Sequence, residues 1–317
     1  MSIEITAAEY FEQLLLMEQQ YGQEEDLYPW IYMLLQMMEN KRQLVDKSYK
    51  GVSIRYIAGG SKADTVIGRN QISAFGVFPD IAILDKDFIA ISTKGGIERK
   101  QLEEIKGIDG IVKYLEHPKR KGAKRITIPE LEINNKIRKF CFENNMNKIY
   151  GCIEAKPINA ELKELNEDLS SYTYESIIGS KGLNTIGELI FELMWYGKVI
   201  YTNGLEWRCL ELTGISCCEN FRKELFDKIN KIGCGEGEKK KLEEKFNVLN
   251  EYIKNHPELR VICNKIADLR KCYNHYKRVV KGNEEKINDF VSIEWDNLIN
   301  GLSAIQWLTQ PEQTKED

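Results

Sequence analysis

The 317-residue chain lacks the residue spacings of a zinc site. It has eight cysteines, but no two of them form a Cys-x-x-Cys pair, and it has only three histidines. Zinc centres usually combine cysteine and histidine ligands at short, regular spacings. We therefore expect scattered free thiols in a reducing compartment rather than a zinc-binding protein.

Long apolar runs and an excess of charge of either sign are also missing. No stretch approaches the roughly 18 apolar residues that a membrane-spanning helix needs, and the first residues lack the pattern of a secretory signal. The 45 basic and 49 acidic residues give a formal net charge of −4. These absences argue against a membrane protein, predict a cytoplasmic location, and leave any attraction to nucleic acid to local basic segments.

The pattern of apolar residues predicts an α/β fold for the first two thirds of the chain. Helical spacing through the first fifty residues indicates two helices with a break near Gly22 and Pro29. Short β-branched and aromatic runs over 52–93 are typical of an antiparallel meander. A mixed insertion over about 95–147 follows, and the composition of 148–157 indicates a buried strand.

The remaining segments suggest a second domain. The patterns predict helices over 159–172 and 184–197 and a hairpin with its turn at Asn203-Gly204. Beyond residue 218 the pattern is almost wholly helical. We therefore expect an α/β domain over residues 1–218 and an all-helical C-terminal domain over 219–317, which contacts the substrate, a protein partner or a second copy in a homodimer.

The stretch "FGVFPDIAILDKD" places Pro79 and Asp80 in the middle of a predicted buried strand. Proline removes a hydrogen bond from the sheet, and an unpaired buried carboxylate loses several kcal/mol of hydration. Something must therefore neutralise Asp80. Glu154 ends the next predicted strand, and two carboxylates with carbonyl and water oxygens are a normal ligand set for Mg²⁺. Lys156 projects from the same face of that strand as Glu154, which suits metal-assisted phosphodiester hydrolysis.

Pro79-Asp80 followed by Glu154-Ala155-Lys156 resembles the motif of the PD-(D/E)xK endonuclease superfamily. The resemblance implies a restriction-endonuclease-like core, with a mixed central sheet flanked by helices. It implies that Asp80 and Glu154 bind Mg²⁺, for which Mn²⁺ can substitute, and that Lys156 positions the attacking water. Members commonly add an acid from the first helix, and here Glu25 is the better candidate, with Glu24 as the other.

A second part of the chain resembles the same superfamily. Many relatives carry a helix with glutamine and tyrosine that leads into a strand with Thr-Asn-Gly and an aromatic residue. The segment "ELMWYGKVIYTNGLEW" is similar through Tyr196, Asn203 and Trp207, whereas Glu192 stands where glutamine is usual. The resemblance implies cleavage of nucleic acid and favours DNA over RNA, although the residues themselves leave that choice open, and it implies a role in restriction or defence against phage.

Other readings of these residues stay open. Glu-x-Lys recurs elsewhere, most notably at Glu98-Arg99-Lys100, but Pro-Asp occurs once, and Glu154 directly follows a strand-like run. Glu154 and Lys156 also suit an ordinary salt bridge. A basic run is either a loop that contacts phosphates of the substrate or a solvated loop; its members are Lys119, Arg120, Lys121, Lys124 and Arg125.

Two further functions compete with a metal-dependent nuclease. The first is a non-catalytic module of the same fold that binds nucleic acid or protein. The second rests on Arg270 and His275, whose spacing resembles the Arg-x4-His pair of HEPN ribonucleases, which cleave RNA without a metal. On a helix, the same residues are equally typical of a polar surface.

Overall fold

A six-stranded mixed sheet organises the chain in a computed structural model, which describes residues 5–20, 22–45, 52–56, 75, 77–85, 148–180, 182–214, 218–229, 232, 238–280 and 289–307. The strands lie side by side in chain order, and only β3 and β4 are parallel. The predicted α/β fold with a mixed central sheet is confirmed. The strands are β1 (Val52–Tyr56), β2 (Ile81–Asp85), β3 (Ile149–Ala155), β4 (Lys198–Thr202), β5 (Glu206–Thr213) and β6 (Arg260–Asp268).

Helices cover both faces of the sheet. Because successive side chains of a strand point to opposite faces, Ile153 belongs to one hydrophobic core and Cys152 to the other. The helices are α1 (Ala7–Gln19), α2 (Tyr28–Val45), α3 (Tyr174–Ile177), α4 (Thr185–Tyr196), α5 (Cys218–Ile229), α6 (Glu238–Asn255), α7 (Arg270–Val280) and α8 (Asp289–Ala304). The Ile153 side is covered by residues of α1, α2, α7 and α8, and the Cys152 side by residues of α4 and α6. Within the described ranges, no helix combines the length and apolar character needed to cross a bilayer.

Local signals set the bounds of α4 and of the hairpin that follows it. Asn184 caps α4 by accepting a hydrogen bond from the Gly187 N–H at 3.1 Å. Gly197 ends the helix with a φ of 74°, which favours glycine. In the hairpin turn, Asn203 Oδ1 accepts hydrogen bonds from the backbone N–H groups of Leu205 and Glu206. The predictions of this helix and this turn are confirmed.

Pro79 and Asp80 precede a strand rather than interrupting it. β2 begins at Ile81, so the prediction that they lie in the middle of a strand is wrong. At this position proline costs the sheet no hydrogen bond. The consequence for the site is that Asp80 lies immediately before the first residue of β2 and not within the hydrogen-bonded ladder.

The predicted helix over 159–172 is absent; the structure has an irregular segment that ends in a short 3₁₀ turn, Leu169–Ser171. The buried residues Ile158, Leu162 and Leu169 have helical spacing, which explains the prediction. The backbone of the segment bonds to neighbouring elements instead: Asn203 Nδ2 donates to the Ala160 carbonyl at 2.7 Å, and the Lys163 N–H donates to the Tyr201 hydroxyl at 3.1 Å. Tertiary contacts here outweigh helix propensity.

The prediction of an all-helical C-terminal region is wrong, because β6 extends the sheet beyond β5. The sequence of β6 lacks the alternation of apolar and polar residues that predicts a strand. Because β6 lies at the edge of the sheet, only Val261 and Ala267 of the strand are buried. Helices α7 and α8 pack in the same core as α1 and α2, so the sheet and this core both run across the boundary predicted at residue 219. The predicted insertion, with the whole basic run Lys119–Arg125, lies outside the described residues.

Candidate functional site

The site is built where the start of β2 meets the end of β3. The two strands are antiparallel, with Ile81 opposite Ile153. Asp80 and Glu154 therefore become neighbours, as predicted from the sequence. The backbone N–H of Ala155 donates a hydrogen bond of 2.7 Å to Asp80 Oδ2, which ties the loop before β2 to the end of β3.

Lys156 lies among three carboxylates. Its Nζ bonds directly to Glu154 Oε1 and lies 3.3 Å from Glu188 Oε2 and 4.0 Å from Glu24 Oε2. The backbone N–H of Lys156 donates to the carbonyl of Thr202 at 2.8 Å, so the chain continues the alignment of β3 with β4 past the last residue of the strand. The ammonium group is consequently held by its neighbours on the strands and on α4.

Two acids of this site, Glu188 and Glu192, were not predicted as functional. They lie four residues apart on α4 and so share one face of the helix. Glu192 is fully buried, and neither of its carboxylate oxygens finds a hydrogen-bond partner among the described residues. The one sequence signal for Glu192 was its position in place of the usual glutamine. Glu188 carried only its spacing from Glu192.

The structure brings Glu24, and not the preferred Glu25, to the site. Both residues belong to a 3₁₀ turn, Glu24–Asp26, between α1 and α2. Glu24 is half-buried, and its Oε1 lies 3.1 Å from the Tyr28 hydroxyl, whereas Glu25 is exposed. Adjacent residues of a 3₁₀ turn point about 120° apart, so only one of the two acids can face Lys156.

Burial and mutual repulsion raise the pKa values of the acids in this site. Burial raises the pKa of Asp80 to about 7, although the hydrogen bonds from Tyr28 and Ala155 oppose the shift. Burial and the nearby charge of Asp80 raise the pKa of Glu154 to about 8. Burial and the charge of Glu154 hold the pKa of Glu192 far above its usual range. The single ammonium group of Lys156 lies among several acids and cannot neutralise all of them.

The carboxylates of this site suit a magnesium ion that keeps several water ligands better than a metal ion whose ligands all come from the protein. In the described part of the chain, no three His, Cys, Asp or Glu side chains are grouped as a metal-binding set. Mg²⁺ commonly binds through only one or two carboxylates and retains several waters. Asp80 and Glu154 supply two such carboxylates side by side, and a cation would relieve the repulsion that raises their pKa values.

Arg270 and His275 do not line the same cleft. Five residues along a helix correspond to a rotation of about 140° between side chains. Arg270 is half exposed, pairs with Asp268 at 2.8 Å, and lines a cleft of about 390 Å³. His275 is buried and is not part of that lining. This arrangement gives the metal-independent ribonuclease alternative no support.

Substituting Glu24 and Glu25 separately by glutamine tests whether Glu24 is the acid that belongs to the site. If the site carries the nuclease activity that the motif implies, Glu24→Gln should slow cleavage of nucleic acid about tenfold or more, because the carboxylate of Glu24 faces Lys156. Glu25→Gln is the matched control and should cleave at the wild-type rate. Initial rates of the purified variants, measured at saturating Mg²⁺, distinguish the two. A larger loss for Glu25→Gln would show that the first-helix acid is Glu25 after all.

Comparisons with protein-family models, with curated proteins and with solved structures found no match for this chain. Its function must therefore be inferred from the arrangement of Asp80, Glu154 and Lys156 and from the acids around them.

Proposed function

We propose that this protein is a metal-dependent nuclease of the PD-(D/E)xK type, which hydrolyses phosphodiester bonds of nucleic acid, DNA rather than RNA. The observation that carries the proposal is the meeting of Asp80, Glu154 and Lys156 at one end of the sheet, from segments 74 residues apart in the chain. Acids that repel one another, held rigidly beside an ammonium group, suit a site that binds a cation and a phosphate.

The order of elements supports a restriction-endonuclease-like core. Asp80 and Glu154 belong to adjacent antiparallel strands, and α4 then connects β3 to its parallel neighbour β4. The resemblance in motif and the order of these elements point to the same superfamily. A cytoplasmic role in restriction or phage defence, and contacts of the C-terminal helices with a partner or a second copy, belong to the same proposal.

Each residue of the site has a role that its contacts suggest. Asp80 and Glu154 would hold Mg²⁺ or Mn²⁺, and Glu24 would add negative charge beside them. When bound, the cation supplies Lewis acidity and lowers the pKa of a water molecule. Lys156 would orient that water and balance the charge that develops on the phosphate. Glu188 would restrain the ammonium group, since it lies 3.3 Å from Nζ.

One observation favours the second candidate, a non-catalytic binding module. Lys156 bonds directly to Glu154, so the protein itself partly neutralises the acid that should bind the metal. An idle site of this kind has no need of a cation. Calorimetric titration with Mn²⁺ separates the candidates, because a nuclease site should bind the ion and an idle one should not.

Cleavage of plasmid, single-stranded DNA and RNA tests the proposed activity. We expect the wild type to cut DNA with Mg²⁺ or Mn²⁺ and to lose this activity in EDTA. Asp80→Asn should be inactive, whereas Asp227→Asn, which changes an exposed acid of α5, should retain the activity. RNA cleavage that persists in EDTA would contradict the proposal, as would metal-dependent cutting by Asp80→Asn at the wild-type rate.

A further inference from the structure

Both carboxylate oxygens of Asp80 are held by groups of the protein. The Tyr28 hydroxyl donates a short hydrogen bond to Oδ1, and the backbone N–H of Ala155 donates to Oδ2 at 2.7 Å. Each carboxylate oxygen has two lone pairs, so each can still offer one to a metal ion. The two donors therefore leave Asp80 able to bind a cation and restrict the directions in which its oxygens point.

The Tyr28 side chain is itself firmly placed. Tyr28 is the first residue of α2, only 3% of it is exposed, and it belongs to the core that α1 and α2 form on the sheet. A ring packed in a core occupies one rotamer, so its hydroxyl is a fixed point rather than a flexible contact. The residue links the helical layer to the loop that precedes β2.

The same hydroxyl also reaches the acid contributed by the turn before α2. Its oxygen lies 3.1 Å from Glu24 Oε1 while it bonds to Asp80. One hydroxyl group thus spans two carboxylates from segments more than fifty residues apart. The single hydroxyl proton can be donated to only one of the two carboxylates at a time. Without the hydroxyl, Asp80 would keep the hydrogen bond from Ala155, and Glu24 would lose its 3.1 Å contact with Tyr28.

We propose that Tyr28 is a positioning residue for the metal site, which sets the orientation of Asp80 and of Glu24 for a divalent cation. The inference rests on the proposed function, because it assumes that Asp80 is a metal ligand. Groups that orient a metal ligand through a hydrogen bond commonly change metal affinity 10- to 100-fold when they are removed. Tyr28 touches the ligands and not the reacting atoms, so its effect should be on binding of the ion.

Calorimetric titration of the full chain with Mn²⁺ tests this role. We expect Tyr28→Phe, which removes only the hydroxyl, to raise the Kd for Mn²⁺ about 10- to 100-fold. Tyr32→Phe is the matched control, since Tyr32 lies one turn further along α2 and its hydroxyl accepts a hydrogen bond from Gln36 Nε2 at 3.2 Å. It should bind Mn²⁺ as the wild type does. Saturating Mn²⁺ should restore most of the cleavage rate of Tyr28→Phe, which a general structural defect would not allow.

The outcomes separate this inference from the proposed function. If the wild type and Asp80→Asn bind Mn²⁺ equally poorly, the metal site itself is wrong, and the role of Tyr28 is wrong with it. If the wild type binds Mn²⁺ and Tyr28→Phe has the same Kd, only the positioning role is overturned. A loss of affinity in Tyr28→Phe that is accompanied by an equal loss in Tyr32→Phe would also overturn it.

Discussion

Glu154→Gln should abolish nucleic-acid cleavage while leaving the protein at least as stable as the wild type at pH 8. The substitution keeps the shape of the side chain and removes its charge. Loss of a charged group that acts on the transition state typically costs a factor of about 10² to 10³ in rate. The free energy of unfolding should not fall, because burial and the charge of Asp80 both disfavour the ionised form of Glu154, and the ammonium group of Lys156 keeps Glu188 and Glu24 as partners. Residues that are needed for activity commonly reduce the stability of the folded protein.

Lys156→Met should abolish cleavage as well, but with the opposite effect on stability. Its ammonium group neutralises Glu154 and lies near Glu188, so its removal leaves a buried acid without its partner. Breaking a buried ion pair costs on the order of 3 kcal/mol. The expectation from sequence that this change at a strand end costs little stability therefore has to be revised. The structure thus gives Lys156 a structural role in addition to its proposed functional one.

Cleavage rates and urea unfolding at pH 8 measure both effects on the same samples. Glu251→Gln and Lys254→Met, on the exposed face of α6, are the matched controls for the two charge changes. Both controls should match the wild type in rate and stability. Cleavage by Glu154→Gln at the wild-type rate would remove Glu154 from the site. Equal destabilisation by Glu154→Gln and Lys156→Met would show that the excess of acids is not the dominant electrostatic feature.

The free energy of unfolding in EDTA should fall as the pH is raised from 5 to 9. The pKa values of Asp80 and Glu154 in the folded protein are about 7 and about 8, above those of the unfolded chain. Such groups bind protons more tightly when folded, so their contribution is present below about pH 4 and is lost as the pH rises through 7 and 8. One pKa unit corresponds to about 1.4 kcal/mol. Since the two acids are coupled, we expect a combined loss of a few kcal/mol.

Two features keep other groups from masking this loss. The acids with lowered pKa values, such as Asp268 in its pairing with Arg270, lose their contribution only on the acid side of the range. Burial lowers the pKa of Lys156, but the charges of Glu154 and Glu188 raise it by more. The residue therefore stays charged throughout this interval. Burial also raises the pKa values of the thiols of Cys152, Cys209 and Cys272, and these groups add to the fall only above about pH 8. The interval from pH 5 to 8 therefore reports mainly on Asp80, Glu154 and the still more perturbed Glu192.

Urea unfolding at several pH values, with and without Mg²⁺, measures the dependence. Millimolar Mg²⁺ should raise stability at pH 8 and have little effect at pH 5, because protons occupy the acids at the lower pH. A variant with Asp80→Asn, Glu154→Gln and Glu192→Gln should lose most of the dependence on pH. Stability that stays level or rises between pH 5 and 9 would show that these acids do not bind protons as the structure implies.

The sequence by itself determined those features whose signals lie within a few residues of one another. The Asn184 cap and Gly197 bound α4, and Asn203-Gly204 closes the hairpin, because caps and turns depend on the backbone that immediately surrounds them. The pairing of Asp80 with the end of β3 was also predictable, since the cost of burying an acid requires a partner. Pro-Asp lies directly before the apolar run of β2 and Glu-x-Lys lies at the end of the run of β3, and these two places meet.

Only the tertiary structure decided features that depend on contacts distant in the chain. The choice of Glu24 over Glu25 follows from which side of a 3₁₀ turn faces Lys156, and a local pattern cannot show that. The addition of Glu188 and Glu192 to the site depends on how α4 packs on the sheet. The strand β6 is an edge strand with two buried side chains, so its pairing with β5 leaves little trace in the sequence. In each case the deciding interaction joins segments that the chain itself keeps far apart, and its energy enters only once the sheet has formed.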